Sequence, residues 1–236
     1  MQVVEKISEI LQLMVSNPNK KMWRATEISN ELNMNISTIH RLLQALKKTG
    51  FVNQDPGTKL YTLGMNLIYY AEIVREMNLP ALVTYPMVQK LFEHTNETSF
   101  VTIKEGDTCM VIERINSHHD LRVVKQIGDT KLLGAGACGK IILAYLPDEM
   151  RKRIVCYSDD DEICENSLTQ ARKDGFIVDY HSDIDSTIIA APIFSEQGEV
   201  FASLSVAIPQ IRLTEEKKLD FIKKIKEISS EFSSKK

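Results

Sequence analysis

The 236-residue sequence is poor in cysteine, has a single tryptophan and lacks long apolar runs. Its four cysteines, Cys109, Cys138, Cys156 and Cys164, form no CxxC pair, which argues against both a disulfide framework and a zinc ribbon. No apolar stretch approaches the ~18 residues that a membrane span needs. Glu5, Lys6 and Glu9 interrupt the first ten residues, so neither a membrane anchor nor a secretory leader is expected, and a reducing cytoplasm is the simplest compartment. Hydrophobic and charged fractions of 43% and 26% are those of an ordinary globular chain, which excludes disorder and collagen. At roughly 100 to 200 residues per domain, the length allows one large domain or two modest ones.

The net charge of −3 is a poor start for a nucleic-acid partner, but it is unevenly spread. Residues 1–75 hold nine Lys and Arg against six Asp and Glu, a balance of +3, which leaves −6 on the remainder. A basic head on an acidic body predicts two domains with different partners, although a difference of this size also arises by chance.

Val3, Val4, Ile7, Ile10, Leu11 and Met14 recur at helical spacing, predicting a helix over 1–16 that Asn17-Pro18 ends. A short helix over 26–33 follows, with Ile28 and Leu32 as its buried pair. After the turn 33–35, Asn35 or Ser37 caps a third helix running to Thr49, with Gly50 at the left-handed position beyond it. Two helices joined by so short a turn predict a helix-turn-helix. Ile39, Leu42, Leu43 and Leu46 form the inner stripe of the third helix, so Ser37, Arg41, Gln44 and Lys48 point outward, with Thr38 and His40 on the flanks. Arg and Gln suit guanine and adenine edges, and Ser, Thr and Lys suit phosphates. A polar helix face alone is only a solvated face. The strand over 51–54, turn over 55–58 and strand over 59–63 make it more, because they supply a wing with Lys59 just past its turn. Thr26 and Asn35, at the starts of the second and third helices, complete the DNA-facing set, and the expected partner is double-stranded operator DNA.

The runs Ala25-Thr26-Glu27-Ile28, "TIHRLLQAL" over 38–46, Gly50-Phe51-Val52 and Tyr61-Thr62-Leu63-Gly64 resemble the DNA-binding domain of IclR-type transcriptional regulators. The resemblance implies a linker helix and a GAF-like effector-binding domain, with self-association as a homodimer or dimer of dimers. Apolar positions from Met65 to Val74 continue a helix to about Met77, which Asn78-Leu79-Pro80 should break. The expected division is a winged helix-turn-helix domain over 1–63, a linker helix over 64–79 and an effector domain over 80–236.

A helix over 81–94, carrying Leu82, Val83, Val88, Leu91 and Phe92, opens that second half. Strand signals cover 98–103, 109–115, 121–126, 176–180, 188–194 and 200–208, with turns at 104–107 and 196–199. Helices are expected near 138–146, 147–155 and 168–173, and over 215–232. Six strands with flanking helices predict an α+β domain, with an antiparallel sheet whose face can build a cavity. The resemblance continues through Gly128, "AGACGKIILA" over 135–144, Gly175-Phe176, Ala190-Ala191-Pro192-Ile193-Phe194, Gly198-Glu199 and 202–206. Two departures stand out: Leu132-Leu133-Gly134 where the family often has Pro-Leu-His, and Ile188-Ile189 around a frequent cysteine position.

By matching positions, the resemblance implies an effector site at Gly136, Ala137 and Cys138, with Asp179, Ile188, Ser205, Ala207, Leu121 and Val123. Small residues at a helix start leave its amides free to meet a carboxylate. The expected effector is an organic, sugar or aromatic acid with an acid or hydroxyl end and a body more apolar than a two-carbon acid. The bland reading of Asp179 is a strand end paired with a nearby amide. No cofactor is implied, and repression is the expected direction of control. A competing reading makes Cys138 a nucleophile at the helix start, with His94, His118, His119 or His181 as base, but no motif spacing supports it. His118-His119-Asp120 lacks further ligands at metal spacing, and Cys156 and Cys164 flank an acidic run over 158–162 that reads as a solvated loop.

Overall fold

A computed structural model describes residues 3–17, 19–77, 79–156, 165–195 and 197–233. Cys164, the acidic run over 158–162, Asn78 and Glu196 lie outside the described residues. The chain divides into two compact units, Met1–Asn78 and Leu79–Lys236. Among the described residues no helix is long and apolar enough to cross a membrane.

The first unit runs α1 (Val3–Ser16), α2 (Ala25–Glu31), α3 (Ile36–Lys48), β1 (Val52–Gln54), β2 (Tyr61–Leu63) and α4 (Asn66–Met77). Its core is Ile10, Met14, Trp23, Ile28, the α3 stripe Ile39, Leu42, Leu43 and Leu46, and Val52 and Tyr61 from the wing. Ile7 and Leu11 are partly buried against it, whereas Val3 and Val4 stay exposed, so the small core engages only part of the expected α1 stripe. α2 ends two residues before the expected Asn33, because Asn33 turns left-handed at φ 49° and Met34 N–H bonds back to the Ser29 carbonyl. Asn35 is the α3 cap: its Oδ1 accepts from Ser37 N at 2.9 Å.

Gly50 takes the left-handed φ of 76° past α3. Gly64, which closes the YTLG run, has a different reason to be glycine: a Cβ there would fall 2.0 Å from the Gly50 carbonyl oxygen. At the wing, Asp55 Oδ1 accepts from both the amide and the hydroxyl of Thr58, and Lys59 leaves the turn with φ 59°. The second wing strand therefore starts at Tyr61 rather than at Lys59. Trp23 adds a bridge to the wing through paired amide bonds with Tyr61 at 2.8 and 2.9 Å.

The second unit runs α5 (Leu79–Thr95), β3 (Thr98–Glu105), β4 (Thr108–Ile115), β5 (Thr130–Leu132), α6 (Gly136–Tyr145), α7 (Asp148–Cys156), α8 (Glu165–Asp174), β6 (Ile177–His181), β7 (Ser186–Phe194), β8 (Val200–Pro209), a 3-10 turn at Gln210–Arg212 and α9 (Glu215–Ser233). α5 begins earlier than the expected 81, with Pro80 in its first turn, where the missing N–H has no intrahelical acceptor to lose.

The six strands form one antiparallel sheet in the order β5-β4-β3-β8-β7-β6. Both faces are covered, and alternate residues of each strand serve opposite layers. Phe100, Val111, Ile188, Ala190 and Ala207 join α6, Ile154 of α7 and Leu168 of α8 on one face. Val101, Ile189, Ala191, Leu204 and Val206 join Met87, Leu91, Phe221 and Ile225 of α5 and α9 on the other.

The expected strand over 121–126 is not formed. Side chains, not a ladder, hold that backbone: Asn116 brackets Lys125 through both its amide and carbonyl, Thr98 Oγ1 donates to the Val123 carbonyl at 2.6 Å, and Arg212 Nη1 donates to the Leu121 carbonyl at 2.8 Å. The sheet edge beside β4 is taken instead by the exposed, three-residue β5.

Candidate functional site

Each unit carries one candidate site. In the first, Ser37, His40, Arg41, Gln44 and Lys48 are all exposed along α3, while Thr38 is half-buried on its flank. Among the described residues the side chains of His40, Arg41, Gln44 and Lys48 make no hydrogen bond or ion pair within the chain, so their donors face solvent. Thr26, in the first turn of α2, and Lys59 at the wing are exposed as well. Asn35 is brought to the same helix start, but its side-chain oxygen is taken by capping. Lys47 was not in the expected set. Its Nζ donates to Gln54 Oε1 at 3.2 Å, and Gln54 Nε2 donates to the Lys59 carbonyl, which ties α3 to the wing. Lys47 and Lys48 also lie in the last turn of α3, where positive charge is favoured by the helix dipole.

In the second unit, a cavity of about 220 Å³ opens between the sheet and the start of α6. Gly136, Ala137 and Cys138 line it, as does Ile188 on β7. Phe100, Cys109 and Val111 add apolar wall from β3 and β4. α6 starts without a side-chain cap, since its N-cap residue is Ala135, so its first amides are open to an acceptor. Gly136 has φ 75°, and a Cβ on it would lie 3.3 Å from His181 Cε1, so glycine is what lets the ring and the helix start approach.

The remaining expected residues divide. Asp179 does not line the cavity: its Oδ2 takes a 3.4 Å ion pair from the largely buried Lys140 of α6. Its partner is thus an ammonium, and not the backbone amide of the bland reading. The Ser205 hydroxyl donates to the Cys138 sulfur at 3.3 Å, and Ala207 is buried in the apolar cluster under α6. Leu121 and Val123 line a separate surface groove with Arg122, Val124, Ile184 and Ile211, although Val123 also packs against that cluster.

Sequence reading missed Thr102, Lys125, Asp129, Thr130 and Lys131 in the polar lining, and named His181 only as a base for Cys138. His181 was findable as a site residue, because it follows Asp179 by two on one strand and so shares its face. The lysines stand in a loop and on a short edge strand, where no period marks them. Lys125 and Lys131 both lower the pKa of the Cys138 thiol, yet burial outweighs them and pushes it up. Burial likewise pushes the Cys109 thiol up to about 12. Both sulfurs are therefore neutral near pH 7, and the nucleophile reading lacks its thiolate.

Three of the four expected bases have other occupations, while the fourth, His181, lines the same cavity as the neutral Cys138 thiol. His94 Nε2 contacts Asp220 at 2.7 Å, His118 packs edge-on against Phe92, and His119 contacts Asn96. Among the described residues no group of three or more His, Cys, Asp or Glu is placed to hold a metal ion.

Two family models match the chain: the IclR helix-turn-helix domain over residues 3–56, and the bacterial transcriptional regulator IclR C-terminal domain over residues 71–234. The chain is 24% identical to the HTH-type transcriptional regulator KipR of Bacillus subtilis, over 98% of this chain and 96% of that protein. It is 28% identical to the transcriptional repressor IclR of Escherichia coli, over 86% and 81%. Among solved structures, that of Thermotoga maritima IclR superposes with a TM-score of 0.76 at 25% identity, covering 98% of this chain and 97% of that one. An IclR homologue from Microbacterium hydrocarbonoxydans, complexed with 4-hydroxybenzoate, superposes with a TM-score of 0.77 at 18% identity, covering 99% and 98%.

Proposed function

The chain belongs to the IclR family of DNA-binding transcriptional regulators with an effector-binding C-terminal domain, and from that membership we propose a repressor controlled by a small apolar carboxylate. The observation that carries the effector class is the composition of the cavity. Its lining combines the open amides at the start of α6, Lys125, Lys131 and His181 with Phe100, Val111, Ala137 and Ile188, and its one carboxylate, Asp129, accepts from the Gln126 amide. Cationic donors suit an acid group and the apolar wall suits a ring or branched chain. A cavity of about 220 Å³ suits a small ligand rather than an extended one. The solved homologue with 4-hydroxybenzoate supports an acid of that size.

In this reading α3 lies in the major groove, with Arg41 and Gln44 on base edges, Thr26, Asn35, Ser37, Thr38, His40 and Lys48 around them, and Lys59 on the backbone. Residues 1–63 make the DNA-binding domain, 64–79 the linker and 80–236 the effector domain. Met65, Ile68, Tyr69, Tyr70, Ile73 and Val74 leave an exposed apolar face on and beside α4, which supports pairing of chains into a dimer or dimer of dimers. The effector shifts DNA binding only by its different affinity for the DNA-competent and incompetent arrangements. A thermal-shift screen of small organic, sugar and aromatic acids, followed by operator footprinting with each hit, tests this. Aromatic or branched acids should raise the melting temperature and change the footprint; tight binding of only very small, fully polar acids would overturn the effector class.

A further inference from the structure

We propose that His181 is a specificity-determining residue of the effector cavity: its Nε2 donates to a carboxylate oxygen of the ligand, and the ring takes up one proton from solvent as the anion enters. The assignment rests on the cavity being the effector site.

Geometry points to Nε2 itself. It is buried, it lines the cavity, and it has no hydrogen-bond partner. An orphaned buried polar atom is costly, so a ligand that satisfies it gains what the empty protein forgoes. The Cε1–Nε2 edge of the ring is the edge turned to α6, at 3.3 and 3.5 Å from where a Gly136 Cβ would stand. A carboxylate at the open amides of α6 is thereby beside this nitrogen. The hydroxyl of Thr102, a residue only 2% exposed, lies beside the Cys138 thiol on the same cavity and is available to the ligand's body.

The charges around the ring decide its protonation. Asp179 on β6 and Asp183 in the turn after it favour the imidazolium; Lys131 on β5 and Lys125 in the 121–126 segment oppose it. Asp179 is already paired with Lys140 of α6, and the Cys138 thiol on the same helix is neutral. Burial is the largest influence and holds the ring below its ordinary value of 6.5, so the empty cavity contains a neutral imidazole near pH 7. A carboxylate arriving next to it adds an opposite charge and draws the proton on. A neutral amide of the same shape does not.

Titration calorimetry of the full chain with benzoate, 4-hydroxybenzoate and benzamide, near neutral pH and in buffers of different ionisation heat, tests the assignment. The acids should bind with buffer-dependent heat, corresponding to uptake of up to one proton, and benzamide should bind far more weakly. His181→Leu should weaken benzoate by about 10- to 100-fold, as loss of a hydrogen bond to a charged group implies, and His181→Gln, which keeps a neutral donor but takes up no proton, should abolish the buffer dependence. The NMR titration of the His181 ring in the unmutated protein gives a reading that needs no variant: its midpoint should rise on saturation with benzoate. Acids that bind with buffer-independent heat and an unmoved midpoint, or benzamide that binds as well as benzoate, would overturn the assignment and leave the effector reading standing. If neither acid binds the unmutated protein, the effector reading falls and the assignment with it.

Discussion

The head and the sensor unit use polar side chains in opposite ways. On α3 the residues proposed to meet DNA lie at the surface, and Arg41, Gln44 and Lys48 spend none of their side-chain donors inside the chain. In the sensor unit, apart from the unpartnered His181 Nε2 of the cavity, the consequential polar groups are buried and committed: Glu97 to Arg212, Asp179 to Lys140, Ser205 to Cys138. A solvated face can be altered with little cost to folding, because water replaces what is lost. A buried group cannot, because removing one partner strands the other. Binding and stability should therefore separate in the head and be entangled in the sensor unit.

The largest expected break of that contrast is at Arg212. Its guanidinium holds both oxygens of Glu97, at 2.6 and 2.7 Å, and also the Leu121 carbonyl. The Glu97 side chain is 5% exposed, so Arg212→Ala should cost the sensor unit ~3–5 kcal/mol in denaturant unfolding. The single tryptophan, Trp23, lies in the head and reports that unit by fluorescence, while circular dichroism is dominated by the larger unit. An early sensor transition with an unmoved Trp23 transition is expected; equal movement of both would erase the distinction.

Next is Arg41→Ala, which should reduce discrimination between operator and unrelated DNA by ~1–3 kcal/mol while changing stability by no more than about 0.5 kcal/mol. A uniform loss on all sequences in binding titrations would make Arg41 a phosphate contact instead. Asn35→Ala is the smallest and cuts across the contrast, since this exposed residue also caps α3. It should cost the head ~1 kcal/mol, seen as a shift of the Trp23 transition alone.

The legible parts of the fold were those where a period or a cap is written locally. The α3 stripe at 39, 42, 43 and 46, its Asn35 cap and its Gly50 end required nothing outside residues 35–50. Strands β7 and β8 were equally plain, because burial on both faces leaves long apolar runs. The misreading of 121–126 has a physical cause: its valines look like a strand, but Thr98, Asn116 and Arg212 capture its backbone, and Arg212 is about ninety residues downstream. β5 gave no signal at all, since its three residues are exposed.

The two sites differ in the same way. A DNA-facing helix is one continuous segment, so composition and spacing alone determined which of its side chains face outward. The family resemblance pointed to the start of α6 as a candidate effector site, and Gly136, Ala137, Cys138 and Ile188 do line one cavity. Which other polar groups share it was decided only by the tertiary structure, because Lys125, Lys131 and Thr102 come from three separate segments that meet only once the sheet is paired. Local sequence specifies a periodic surface; a cavity is specified by chain crossings, whose geometry no single segment contains.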